Sequence, residues 1–134
     1  MMAASDRPPA EIFQEYLRAR TATMRRGATD VDINRLVSFY TDDIVYEDAK
    51  VKVHVEGKET LRSGIISHSS EYAGSALETR ISVDSSISLA NAVAAVITEV
   101  FWINGSAGRQ EIQRKRLQVA EFRGDKICHF IDYH

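Results

Sequence analysis

The sequence predicts an α+β domain in which three helices come first and pack on one face of a curved antiparallel sheet. Apolar residues recur at helical spacing through much of the first half of the chain. From residue 77 onward the pattern changes to strands that are separated by short turns. Helices followed by a run of strands are typical of α+β domains.

The composition indicates one globular domain with no general affinity for polyanions. The chain has 134 residues, 44% of them hydrophobic and 27% charged, and a formal net charge of −2. These values do not favour binding to nucleic acid or to anionic lipid. No stretch approaches the roughly 20 apolar residues of a membrane span, and the first ten residues lack the apolar run of a signal peptide. We therefore expect a cytoplasmic protein.

Cysteine and histidine spacing gives no metal-binding motif. The lone Cys128 cannot form an internal disulfide, which is consistent with a reducing compartment. The four histidines show no HxxH or HxH spacing. We expect neither a metal site nor a cofactor.

Two helices are predicted before the first strand. Residues 1–9 are expected to be a flexible leader and residues 10–134 the single domain. Pro8 and Pro9 suit the first turn of a helix that runs to about residue 26. Asp30 or Asp32 is expected to cap the second helix, which follows Gly27. The inward residues are Ile12, Phe13, Tyr16, Leu17 and Met24 in the first helix and Ile33, Leu36 and Val37 in the second.

The stretch FYTDDIVYED at residues 39–48 joins helix to strand and ends on an acid. On a strand from residue 44 to 48, Ile44, Tyr46 and Asp48 share one face because side chains alternate. If Ile44 and Tyr46 face the core, Asp48 does too. Burying an unpaired carboxylate costs several kcal/mol. Asp48 therefore needs a partner, a proton or a cavity.

The rest of the chain predicts one more helix and five strands. Residues 50–56 alternate as a half-exposed strand, 59–69 form a third helix, and 67–75 read as a loop. Four strands, which are expected to pair as antiparallel neighbours, cover 77–88, 91–103, 109–122 and 126–133, with a hairpin at 104–108 and a tight turn at 123–126.

This order of motifs resembles a known superfamily. FYTDDIVYED after two helices, GKETLR opening the third and GDKICHFIDY near the end resemble the nuclear transport factor 2-like (NTF2-like) superfamily, especially its SnoaL-like and ketosteroid-isomerase-like branch, over residues 10–134. The resemblance implies a cone-shaped sheet with the helices on its concave face. This fold hosts isomerases, cyclases, dehydratases, epoxide hydrolases and non-catalytic binders.

The resemblance also implies roles for individual residues. Asp48 occupies the segment that carries the general-base aspartate of ketosteroid isomerases, and Tyr16 lies on the helix face where those enzymes place an oxyanion donor. Gln118 replaces their protonated aspartate and can still donate a hydrogen bond. Asp132 before Tyr133 is similar to the last strand of epoxide hydrolases from this superfamily.

Each candidate also has an ordinary structural interpretation. Asp48 can cap a loop amide, and Asp132 can pair with Arg114 or Arg116 on the next strand. These arginines lie either at the mouth of the cone, where they would take an anionic substituent, or in ion pairs with acids. His68 is a proton shuttle or a partly exposed polar residue. The aromatic residues Tyr46, Trp102 and Phe130 line a pocket or fill the core.

The leading functional hypothesis is cofactor-independent proton transfer next to a carbonyl group of a small apolar or cyclic ligand, as in isomerisation or aldol-type cyclisation. The alternatives are a non-catalytic ligand-binding or protein-association module of the same fold, and an epoxide-hydrolase or dehydratase-like activity. The hypothesis assigns Asp48, Tyr16 and Asp132 to catalysis and Tyr46, His68, Trp102, Gln118 and Phe130 to substrate binding.

The last strands also predict an apolar outer surface. Cys128, Phe130 and Asp132 share one strand face, which the resemblance assigns to the cavity. Ile127 and Ile131 then lie on the opposite face with Leu117 and Val119, where one layer of helices cannot cover them. We therefore expect a homodimer.

Overall fold

The computed structural model describes residues 7–25 and 27–134, with residues 70–77 described by their backbone alone. Within this part of the chain, three helices and six strands follow one another. They are α1 (Pro9–Thr23), α2 (Asp30–Val37), β1 (Tyr40–Asp48), β2 (Val53–Glu56), α3 (Lys58–Ser75), β3 (Ala76–Ser88), β4 (Ala92–Gly105), β5 (Gly108–Arg123) and β6 (Lys126–Tyr133). No helix in these ranges is long and apolar enough to cross a membrane.

The strands form one open sheet in the order β2-β1-β6-β5-β4-β3. β1 runs parallel to β6, and the other neighbouring pairs are antiparallel. The predicted α+β class is confirmed, with the β1–β6 pair making the sheet mixed. Because the pair is parallel, the carboxyl ends of β1 and β6 meet at one edge, where Asp48 lies opposite Asp132.

The helices cover one face of this sheet. α1 contacts β3 and β4, α3 contacts β1 and β2, and α2 contacts both other helices. The predicted inward residues of α1 are all buried, at 7% exposure or less. They pack against sheet residues that share the inner face, among them Val93, Ala95, Ile97, Ala120, Phe122 and Phe130. The core therefore lies between the helices and the sheet.

The helix boundaries differ from the prediction in two places. Thr29 caps α2: its side chain accepts from the Asp32 amide at 3.4 Å, and the Asp32 carboxylate accepts from the Thr29 amide at 2.9 Å. The expected cap at Asp30 or Asp32 is therefore wrong, because the pair forms a capping box one residue earlier. α1 ends at Thr23, and residue 26, the predicted end, lies outside the described residues.

The third helix is longer than expected. Its backbone remains helical to Ser75, so the loop predicted at 67–75 is wrong. Serine and a single glycine lower helix propensity by less than about 1 kcal/mol each, and the segment has no proline to stop it. In contrast, β2 begins at Val53 rather than residue 50, because residues 49–52 form a turn in which Lys52 has a positive φ of 55°.

A β-bulge reverses the expected facing of residues near the start of β6. The β5–β6 register shifts between Glu121 and Phe122, and Ile127 is fully buried in the core. Cys128 is partly exposed, with its Sγ 3.5 Å from the Glu121 carbonyl oxygen. The expected outward Ile127 and inward Cys128 are therefore wrong, since one extra residue moves the alternation to the other face.

Candidate active site

A cavity of about 370 Å³ lies between the helices and the inner face of the sheet. Its size falls within the roughly 300–1,000 Å³ of typical small-molecule pockets. The walls are largely apolar, with Leu36, Val51, Val53, Val55, Leu61 and Ile65 among the lining residues. Polar side chains interrupt these apolar walls at a few positions.

One polar point is a pair formed by Asp48 and His134. Asp48 ends β1, and His134 follows Asp132 by two residues and so shares its face. The His134 Nε2 lies 2.8 Å from Asp48 Oδ2 and 3.0 Å from Oδ1. Both side chains line the cavity and are about 15% exposed. The parallel β1–β6 pairing therefore builds a carboxylate–imidazole pair.

Asp48 also caps the turn after β1. Its Oδ1 accepts hydrogen bonds from the amides of Lys50 at 3.0 Å and Val51 at 3.3 Å. Burial opposes ionisation of Asp48, but His134 and these amides together hold its pKa below the usual value. Asp48 therefore both caps the loop and lines the cavity.

An ionised Asp48 fixes the proton on its imidazole partner. A carboxylate only accepts hydrogen bonds, so Nε2 of His134 carries the proton and donates it. In the neutral ring, Nδ1 then keeps a lone pair and can accept a proton. The pair therefore supplies an imidazole base that a carboxylate orients.

The second polar point consists of two tyrosines and an arginine. The hydroxyl oxygens of Tyr16 and Tyr40 lie 2.8 Å apart, and Arg20 Nη1 lies 3.4 Å from that of Tyr16. Burial raises the pKa of Tyr40 well above its ordinary range, so its proton stays on at neutral pH. Two hydroxyls carry two protons and share one hydrogen bond. Their mutual hydrogen bond therefore uses one of these two protons, and both tyrosines line the cavity.

Tyr46 lines the cavity and rests on Phe130. The two rings are stacked with centroids 5.1 Å apart and an interplanar angle of 7°. Burial raises the pKa of Tyr46 to about 12, although Arg20 opposes the increase. Phe130 is fully buried, because Tyr46 and Tyr16 cover it. The expected ligand contact of Phe130 is therefore corrected: it supports two tyrosines of the cavity wall.

Buried charges lie in and behind this wall. Asp132 and Glu99 are fully buried and Arg116 is 8% exposed. The Oδ2 of Asp132 accepts from Arg116 Nη1 at 2.8 Å, from Arg20 Nη2 at 3.5 Å and from Gln118 Nε2 at 3.5 Å. Arg116 Nη2 also lies 3.6 Å from Glu99 Oε1. Of the two ion pairs considered for Asp132, the structure forms the one with Arg116.

Three possible metal ligands lie together at the edge of the cavity. One oxygen or nitrogen from each of Asp48, Asp132 and His134 falls within 4.8 Å of the others. Arg116 and Arg20 already bind Asp132, and two guanidinium groups oppose a cation at this position. The arrangement suits hydrogen bonding better than metal coordination.

The remaining candidates lie on different sides of the sheet. His68 on α3 lines the cavity. Trp102 does not: the inner face of β4 carries the odd-numbered residues from Val93 to Phe101, so Trp102 faces outward. Its ring lies between Arg80 at 5.2 Å and Arg109 at 5.4 Å. The expected pocket position of Trp102 is therefore wrong.

Sequence reasoning missed four polar residues of this region: Arg20, Tyr40, Glu99 and His134. Three of them carried a local signal. Arg20 follows Tyr16 by four residues on one helix face, Glu99 interrupts an apolar strand, and His134 follows Asp132 by two. Tyr40 gave no such signal, because it lies where the helical pattern of residues 33–37 changes to the strand pattern of residues 44–48.

Comparison with known proteins supports the fold. No family model matches the chain, and no curated protein matches it by sequence. An NTF2-like protein from Anabaena variabilis superposes with a TM-score of 0.73 at 17% identity, covering 99% of this chain and 93% of that one. At this identity the likeness shows the fold alone, and the NTF2-like resemblance is confirmed at that level.

Two further similar structures have names that suggest enzymes. One is a putative SnoaL-like polyketide cyclase from Shewanella putrefaciens, with a TM-score of 0.71, 12% identity, and coverage of 93% of this chain and 88% of that one. The other is SalBIII, an epoxide hydrolase/cyclase-like enzyme in pyran ring formation. It superposes with a TM-score of 0.69 at 16% identity, covering 93% of this chain and 88% of that one.

Proposed function

Because the chain has the fold of NTF2-like and SnoaL-like proteins, we propose that it is a cofactor-independent acid–base enzyme acting on a small, largely apolar carbonyl compound. One observation carries the proposal. A single cavity is lined by a carboxylate-oriented imidazole, Asp48–His134, and by a tyrosine pair, Tyr16–Tyr40, with a proton to donate. General-base and oxyanion groups that share one apolar pocket are the parts that enolisation needs.

The proposed reaction begins with proton removal. Nδ1 of His134 takes a proton from the carbon next to the carbonyl, and the C–H electron pair moves to form an enolate. The hydroxyl of the Tyr16–Tyr40 pair whose proton is not shared donates a hydrogen bond to the enolate oxygen. Arg20, which lies next to the Tyr16 hydroxyl, adds positive charge. The imidazolium then returns its proton to another carbon, which completes an isomerisation. Alternatively, the enolate carbon attacks a second carbonyl and the imidazolium gives its proton to the resulting alkoxide, which completes an aldol cyclisation.

This mechanism changes two roles expected from the sequence. Asp48 stays in the catalytic pair, but the accepting atom moves to His134, because hydrogen bonds to both Asp48 oxygens make the carboxylate a weaker base. Asp132, expected as a second acid or base, becomes a positioning residue, since its Oδ2 holds Arg20 and Arg116 in the cavity wall.

A non-catalytic ligand-binding module is the second candidate. It is supported by the hydrogen bonds that engage Asp48 in the turn after β1, which a purely structural carboxylate would also make. The two candidates differ in one property: an enzyme exchanges the α-protons of a bound ketone, whereas a binding module only binds it.

The proposal is tested by α-proton exchange of β-tetralone in deuterium oxide, followed by proton NMR. We expect the protein to accelerate exchange above buffer, with no effect of EDTA. Asp48→Asn or His134→Gln should slow it by about 10²-fold or more, the usual contribution of a general base. Asp125→Asn in the exposed β5–β6 turn and His129→Gln on the outer face are matched controls and should keep the full rate.

Binding of β-naphthol, followed by its fluorescence, separates the two candidates. Binding without accelerated exchange would support the ligand-binding module. Exchange that both site variants leave unchanged would remove Asp48 and His134 from the mechanism.

A further inference from the structure

We propose that the cavity recognises a carboxylate on its ligand and that Arg114 is the residue that binds it. This inference deepens the proposed function and rests on the same cavity. It makes the natural substrate an acidic compound with an apolar body. The support comes from the distribution of charge around the cavity and from the surroundings of Arg114.

Three arginines line the cavity: Arg20, Arg114 and Arg116. The buried acids Glu99 and Asp132 are not lining residues and lie behind the wall. Among the described lining residues Asp48 is the one carboxylate, and His134 and two amides already bind it. Three cationic side chains therefore line the cavity against one carboxylate, although the chain as a whole carries −2.

The buried charges compensate one another, and Arg114 takes no part in these ion pairs. Arg116 pairs with Asp132 and Glu99, and Arg20 pairs with Asp132. Two arginines thus face two carboxylates, and their formal charges sum to zero. In the part of the chain that the structure describes, Arg114 has no acid within the 4.0 Å of a salt bridge, because the neighbouring Glu99 is directed to Arg116.

The position of Arg114 suits a ligand that is charged at one end. It lies on the inner face of β5, two residues from Arg116, and its side chain is exposed. Its guanidinium lies over the Phe101 ring at 5.0 Å, which limits its orientation. An exposed side chain that also lines the cavity lies at the solvent-facing edge. A ligand can therefore bury its apolar body while its charged group stays near water.

The chemistry of the guanidinium selects a planar anion. Its donors form a rigid fork that matches the two oxygens of a carboxylate, and such paired hydrogen bonds to charged groups are stronger than neutral ones. Placing the anion at the rim avoids most of the desolvation cost of a buried charge.

The test compares two ligands of nearly equal shape, β-naphthoate and β-naphthamide, by isothermal titration calorimetry at neutral pH. The carboxylate is ionised there because its pKa is about 4. We expect the protein to bind the carboxylate about tenfold more tightly than the amide, the effect of one charged hydrogen bond. Arg114→Gln should abolish this preference, and added salt should reduce it.

Arg109→Gln is the matched control, because Arg109 is also an exposed β5 arginine over an aromatic ring, but it lies outside the cavity. It should keep the preference. Equal affinity for the two ligands, including no detectable affinity for either, or a preference that Arg114→Gln leaves intact, would overturn the inference. Exchange of the uncharged β-tetralone is independent of this preference, so either proposal can fail while the other stands.

Discussion

Arg116 is the side chain on which the buried polar interior depends most. It joins Asp132 and Glu99, two fully buried acids on different strands, while it also lines the cavity. Removing one partner of a buried ion pair leaves a charge without compensation, and this costs far more than the pair itself contributes. Arg116 therefore links stability to the shape of the site.

Arg116→Met keeps the length of the side chain but removes its charge. We expect a loss of about 3–5 kcal/mol in the free energy of unfolding, because Asp132 would keep only Arg20 and Glu99 would lose its ion pair with Arg116. Urea denaturation measures it. Arg123→Gln is the control: it removes a surface arginine from its pair with Asp43 and should shift the midpoint little. A midpoint unchanged by Arg116→Met would show that the ion pairs of Arg116 do not contribute to stability.

A second group of charges, on the outer face, predicts a pH dependence. Glu47 lies 3.1 Å from His54 Nδ1 and 2.8 Å from His129 Nε2, and Glu56 lies 3.0 Å from His54 Nε2. The hydrogen bonds that His54 makes to Glu56 and Glu47 raise its pKa, and those that Glu47 accepts from His129 and His54 lower the pKa of Glu47. The stabilisation by His54 is complete below its ordinary pKa of 6.5 and is lost as pH rises through the raised value.

The Glu47 contribution has the opposite dependence: it is complete above 4.5 and is lost as pH falls through the lowered value. Both contributions are present between about pH 4.5 and 6.5. His54→Gln should therefore lower the melting temperature more at about pH 5.5 than at about pH 8.5. Lys50→Gln, at an exposed lysine outside this network, should have the same effect at both pH values. A His54→Gln effect that does not vary with pH would exclude the network.

At this scale the sequence predicted part of the site. Parity on a strand or helix places Asp48 and Tyr16 inward, and the structure brings both to the cavity. Parity alone does not show which residues from other elements will contact Asp48 and Tyr16. His134 reaches Asp48 because β6 runs parallel to β1, and Tyr40 reaches Tyr16 from 24 residues away. Such long-range pairs depend on topology, which local patterns do not encode.

At the scale of elements, the number, type and order of helices and strands follow from periodicity. Each signal is local, so three helices and six strands were predictable for the described residues. The misplaced side chains have two causes. The bulge in β6 opposite Glu121 and Phe122, which changes the facing of Ile127, is a feature of how β6 pairs with β5. The near-continuous apolar run of β4 gave no alternation from which the outward position of Trp102 could be read.

At the scale of the molecule, helices on one face leave the other face of the sheet without a covering layer. Leu117 and Tyr133 are opposite each other on β5 and β6, and Val119 is opposite Ile131. Leu117 is 40% exposed and Tyr133 is 43% exposed. Adjacent apolar pairs on an open sheet face are typical of a contact surface rather than of scattered exposed residues. The expected homodimer therefore has a specific candidate interface.

Light scattering coupled to size-exclusion chromatography tests this interface. We expect a mass of twice the 15.0 kDa of one chain. Leu117→Lys should give the monomer without unfolding it, because the side chain is already partly exposed and a lysine stem fits a strand surface. Val31→Lys, at an apolar position on α2 that is 75% exposed, should remain dimeric. If the unmodified chain elutes at 15.0 kDa, the outer face is not a dimer interface, and the cavity must be complete within one chain.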